Sequence, residues 1–187
     1  MSTATIVVII VLAVIVLAVA GWLITQNRRR QRLREQFGSE YDRAVDEHDS
    51  RRKAEQELAQ REQRHAKLDI KPLSSTDRDR YAKQWTLIQQ EFVDRPTNAV
   101  AEADRLVTVV MGERGYPTEG YRQQVSDLSV RHATTLDHYR SAHAIKARCD
   151  DGEVATEELR EAMVHYRSMF EDLLESDVDG RHGSSRN

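Results

Sequence analysis

Apolar residues are unevenly spread along the chain. Ile6 to Ile24 form a run of 19 uncharged residues in which only Gly21 is not hydrophobic. At 1.5 Å per residue a helix over this run measures about 28 Å, close to the hydrocarbon thickness of a bilayer. Lipid offers the backbone no water to bond, so a single segment there takes the helical form. The pattern predicts one N-terminal transmembrane helix within an anchor of residues 1–25, with Trp22 as its membrane-interface residue.

Beyond Gly38 the pattern changes. Residues 39–67 alternate acids and bases with Ala, Gln and Leu, and contain neither Gly nor Pro. A short apolar face (Phe37, Tyr41, Ala44, Val45) thins to Ala54, Leu58 and Ala59. A heptad from Tyr41 would place His48, Arg51, Glu55 and Glu62 in the seam, which makes a poor coiled coil. The expectation for 39–71 is a long charged helical spacer of about 43 Å, with weak self-association through 39–67 as its only pairing. Pro72 ends it. Ser74, Ser75 and Thr76 offer N-cap oxygens, and Tyr81, Trp85, Ile88 and Phe92 fall on one helical stripe. Pro96 can open the next helix, carried by Ala99, Ala103, Leu106, Val107 and Val110. Gly115-Tyr116-Pro117 is turn chemistry.

A third helix is expected over about 118–148, with Tyr121, Val125, Leu128, His132, Leu136, Tyr139 and His143 inward and a break at Asp127-Leu128-Ser129 if Ser129 caps afresh. Thr156 is the expected N-cap of a last helix bearing Leu159, Met163, Tyr166, Phe170 and Leu173. No stretch has a period of two long enough for a strand. The chain therefore reads as all-α, ending in a small helical domain of about four helices over 72–176 and a disordered tail over 177–187.

Charge sharpens this picture. Arg28, Arg29, Arg30, Arg32 and Arg34 face one acid, Glu35, within the Arg-rich juxtamembrane segment 26–38, whereas no Lys or Arg precedes the apolar run. Such asymmetry places the C-terminal side in the cytoplasm and the N-terminus outside, in a single-pass protein of the cell membrane. The same arginines are candidate contacts for headgroups of the anionic inner leaflet. Ala18-Val19-Ala20 resembles a signal-peptide cleavage pattern, and cleavage after Ala20 would start the chain at Gly21, but the missing upstream charge and the downstream block disfavour it. The body is acidic and the Arg block lacks aromatic interleaving, so nucleic acid is not an expected partner. A lone Cys149 excludes an intrachain disulfide.

Catalytic chemistry is sparse. His132, His138, His143 and His165 share the helical domain, but their spacing gives no pair at i, i+3 or i, i+4, and HExxH is absent. Gly112, Gly115 and Gly120 fit no phosphate loop. No catalytic residue, cofactor or metal is expected. The aromatic face of Tyr81, Trp85 and Phe92, extended by Tyr116, is the candidate surface for an unknown protein partner. The expected function is a membrane-anchored, non-enzymatic interaction or scaffold protein that presents a helical domain at the cytoplasmic face. The alternative is a tethered small hydrolase using a metal or the histidines.

Several strings carry a resemblance: Phe37-Gly38-Ser39-Glu40-Tyr41-Asp42-Arg43; Gln84-Trp85; Phe92-Val93-Asp94; Ala101-Glu102-Ala103-Asp104-Arg105-Leu106-Val107; Arg114-Gly115-Tyr116-Pro117; His138-Tyr139-Arg140-Ser141-Ala142-His143; and His165-Tyr166-Arg167. Together they resemble a family of uncharacterised single-pass bacterial membrane proteins, mostly actinobacterial. The resemblance implies the anchored layout but no activity and no functional residues. The layout is also similar to the b subunit of ATP synthase, from which Pro72, Pro96, Pro117 and the aromatic domain depart.

Overall fold

The computed structural model describes residues 3–149, 152 and 154–175, with side chains at Leu12 and from Val14 onward. All eight elements among the described residues are α-helices: α1 Thr3–Phe37, α2 Ser39–Glu47, α3 Arg51–His65, α4 Ser75–Asp94, α5 Pro96–Glu113, α6 Tyr121–Leu128, α7 Ala133–Cys149 and α8 Thr156–Glu175. They divide into two compact units, Met1–Ala59 and Gln60–Asn187.

In the first unit, two expectations are corrected. Among the described residues no helix is long and apolar enough to cross a membrane, so the transmembrane helix expected over 1–25 is not upheld. Side chains at 1–11 and 13, part of that expected anchor, lie outside the described residues, as does the tail expected over 177–187.

The second correction concerns the spacer, which is not one straight helix. His48 is extended (φ −114°, ψ 144°) and ends α2. Ser50 Oγ then accepts from the Lys53 amide at 3.4 Å as α3 begins. The chain folds back, and Tyr41 Oη donates to Glu55 at 2.8 Å. Both ring nitrogens of His48 are engaged, Nδ1 2.8 Å from the Ala44 carbonyl and Nε2 2.7 Å from the Glu57 carboxylate. The physical reason lies in the sparse apolar positions. Phe37, Tyr41, Ala44, Ala54 and Leu58 are all buried, which a solitary helix in water cannot achieve. The apolar positions of 39–59 are thus turned inward.

The second unit carries a core spread over α4, α5, α7 and α8. From α5 come Ala99, Val100, Ala103, Leu106, Val107, Val110 and Met111, and from α8 Leu159, Ala162, Met163, Tyr166, Met169, Phe170 and Leu173. Trp85 of α4 stacks on Phe170 with ring centres 4.9 Å apart. The helix punctuation follows local chemistry. Ser74 Oγ caps α4 by accepting from the Asp77 amide at 3.0 Å. Pro96 occupies the first turn of α5, where its missing N–H costs nothing. Where one helix was expected over 118–148, α6 stops at Leu128 and α7 starts at Ala133. Ser129 does not cap α7; its hydroxyl donates to the Ser126 carbonyl at 2.7 Å. Among the described residues, five helices (α4 to α8) follow residue 72, where about four were expected. Thr156 is the first residue of α8, not its cap, and Glu158 reaches back to the Ala155 amide at 3.2 Å.

The C-terminus of α5 fixes the segment before α4. Gly115 donates to Gly112 O at 2.9 Å and Tyr116 to Met111 O at 3.0 Å, a Schellman pair with Gly115 at φ +93°. Arg114 O accepts from the Lys71 amide at 2.8 Å. A Cβ on Gly115 would lie 2.4 Å from Asp69 O, backbone that cannot swing aside. Gly120 has φ +81° but nothing within 4 Å of that position. Gly115→Ala should therefore lose about 2–3 kcal/mol in denaturant unfolding, from strain plus the clash, and Gly120→Ala only about 1 kcal/mol. Equal losses would mean that the approach of Asp69 is unimportant.

Candidate functional site

The second unit places His132, His143 and the His138–His165 pair in three environments. His132, between α6 and α7, is almost fully buried. Its Nδ1 lies 2.9 Å from Asp172 Oδ2 of α8, and its Nε2 lies 3.1 Å from Tyr116 Oη. A carboxylate can only accept, so Nδ1 carries a proton and donates to Asp172. Thr135 Oγ1 also donates to Asp172. Burial alone would raise the Asp172 pKa, but the His132 and Thr135 hydrogen bonds and the Arg114 charge bring it below the usual range. Tyr116-His132-Asp172 has the order of a nucleophile, base and orienting acid. Yet Tyr116 is only 3% exposed, so no substrate reaches its hydroxyl. The arrangement satisfies buried polar groups and joins three chain segments.

His143 belongs to a different group. It stacks on Tyr121 with centroids 4.0 Å apart, and its Nδ1 is 3.6 Å from Asp104 Oδ1. Tyr166 Oη donates to the same oxygen at 2.9 Å, and Tyr139 Oη donates to Gln124 at 2.9 Å. Burial would raise Asp104, but His143, Tyr166 and Lys146 together hold it below its ordinary value. Burial and the Asp104 charge push both Tyr139 and Tyr166 well above the usual phenol range. Both phenols stay protonated, as structural donors rather than nucleophiles.

His138 and His165 form the third environment, on the exposed edge of α7 and α8, with Nδ1 atoms 2.9 Å apart. Their spacing along the chain gives no hint of this meeting, which depends on how α7 packs on α8. Among the described residues no cluster of three or more His, Cys, Asp and Glu could hold a metal ion. Cys149 is partly buried and its thiol faces the Ile145 carbonyl at 3.3 Å.

Of the candidate partner surface, Tyr81, Trp85 and Tyr116 are buried and Phe92 is half-buried. The exposed apolar side chains lie beside them. Leu87 and Val109 are 63% and 45% exposed, in a groove of about 960 Å3 between α4 and α5. Arg80, Arg95 and Arg105 alternate there with Glu91, Glu102 and Glu113. Hydrophobic spacing could not separate these rims from the stripe that packs, because α4 is amphipathic only in part.

In the first unit, Val14 to Leu17, Val19 and Trp22 to Ile24 are each more than half exposed. The five arginines divide. Arg34 pairs with Asp42 at 3.3 Å and lies over the Tyr41 ring, and Arg30 interacts with the Tyr41 hydroxyl. Arg28, Arg29 and Arg32 are exposed, with Arg29 lining a cleft beside Trp22.

Asp172 offers a test of the buried network. Its depressed pKa means that its contribution is complete above the unfolded value of 3.8 and disappears as pH falls through the lower folded value. Asp172→Asn should cost about 2 kcal/mol at pH 7 by denaturant unfolding. The gap between wild type and variant should shrink once pH drops below about 3.8. A gap independent of pH would remove the ionised carboxylate from this account.

Compared with known protein families, with curated proteins and with solved structures, the chain matches none.

Proposed function

We propose that the chain is a non-enzymatic interaction protein that works at an anionic membrane surface, on the cytoplasmic side. The first unit supplies attachment and the second offers a helical docking face. One observation carries this reading: consecutive side chains Val14, Ile15, Val16 and Leu17, and then Trp22, Leu23 and Ile24, are exposed immediately before an arginine cluster. An apolar surface of that kind is costly in water and favours lipid or a partner. Adjacent arginines add roughly 1 kcal/mol each near anionic headgroups. The second unit supports the non-enzymatic half of the reading, since Tyr116, His132, Tyr139 and Tyr166 are buried while the α4–α5 groove lies open.

Flotation with vesicles checks the attachment. The full chain should float with vesicles of phosphatidylglycerol and phosphatidylcholine, and replacing Arg28, Arg29 and Arg32 by Ser should weaken this at least tenfold. A chain that stays behind with every vesicle composition would sink the membrane reading. The docking face is checked separately. Leu87→Asp with Val109→Asp should abolish capture of a partner protein by the full chain while leaving helical content unchanged. Undiminished capture would place the interaction elsewhere.

A further inference from the structure

The geometry points to the His138–His165 pair as a metal site for a tetragonal divalent ion of the Cu2+ or Ni2+ kind, held by the two Nδ1 atoms and completed by water. The inference concerns a ligand that the interaction reading does not require.

Three observations converge. The first is distance. The Nδ1 atoms are 2.9 Å apart. Two imidazole nitrogens, each about 2.05 Å from one ion, then subtend about 90° at it. That is the angle between neighbouring ligands in a square plane. A tetrahedral zinc site would separate them by about 3.3 Å.

The second observation is the outer partner. His165 turns its other nitrogen, Nε2, toward Glu161 Oε1 at 3.5 Å. A carboxylate there holds the proton on Nε2 and leaves the Nδ1 lone pair free to ligate, the usual support of a metal-bound histidine. His138 binds in the same form when its proton moves from Nδ1 to Nε2. Both rings are then neutral ligands, and no net proton is lost.

Access is the third. His138 is exposed and His165 keeps a side-chain exposure of 19%, so an ion with its own waters reaches the pair. The rings come from different helices, α7 and α8, and an ion there would cross-link them. Without an ion, His138 donates its Nδ1–H to the Nδ1 of His165, and an ion takes the place of that proton between the same two nitrogens. Among divalent ions copper has the highest affinity for such donors.

Copper added to the full chain at neutral pH tests this. Electron paramagnetic resonance should show an axial signal with coupling to two imidazole nitrogens. Calorimetry should show one site that disappears in both His138→Ala and His165→Ala. Glu161→Gln, which leaves both rings in place, should weaken binding by about 10- to 100-fold. Circular dichroism confirms that each variant keeps its helices. Failure of the wild type to bind overturns the proposal. So does a signal unchanged in either histidine variant, which would assign the copper to other histidines or to the amino terminus.

Discussion

A buried guanidinium governs the second unit. Arg114 lies at the end of α5 with 1% of its surface exposed. Its Nη1 donates to the Leu173 carbonyl at 2.6 Å, in the last turn of α8. The last carbonyls of a helix have no intrahelical partner and carry its negative end, so a cation is well placed there. Asp172, one residue earlier, adds a compensating charge. Depriving a buried charge of its partner costs about 3–5 kcal/mol, so the ends of α5 and α8 cannot separate cheaply. Everything near them inherits that constraint. The backbone of Arg114 holds Lys71, Gly115 turns the chain back, and Tyr116 closes onto His132.

Around this clamp the residues whose order resembles catalytic machinery, Tyr116 and His132, are buried. Tyr116, His132, Asp172 and Thr135 satisfy one another around the clamp, and Tyr166 donates to Asp104 between α8 and α5, with His143 of α7 3.6 Å from the same carboxylate. Perturbed groups often mark active sites, but structural networks perturb them too. Here the perturbation comes with burial. What remains open to solvent is different in kind: the apolar face of α1, the groove of α4 and α5, and the histidine pair on α7 and α8.

Much of the helical content was legible because its signals are local. Ser74, Pro96 and Gly115 punctuate helices through backbone chemistry that needs no distant partner. The stripes of α4, α5 and α8 repeat at a helical period. The fold-back at His48 to Ser50 was not legible, since no Gly or Pro marks it. Ala54 and Leu58 become decisive only when Tyr41 and Phe37 are buried as well. The hydropathy run predicts an anchor, but among the described residues no helix is long and apolar enough to cross a membrane. Arg114 reads locally as a solvated charge near a turn; only the approach of Leu173, 59 positions away, reveals it as core. His138 and His165 are 27 positions apart and meet by tertiary packing alone.

The phenols of Tyr139 and Tyr166 give the molecule an alkaline ceiling. Both hold their protons above the ordinary value of 10 while the core is intact, because burial and Asp104 oppose a second negative charge. An unfolded tyrosine ionises near pH 10, so above that point the open chain sheds protons that the closed one keeps. Strong alkali therefore pulls the second unit apart through its own aromatic core, even where its surface ion pairs persist. The packing of Tyr139 against Tyr166 between α7 and α8 thereby ties the second unit's stability to alkaline pH.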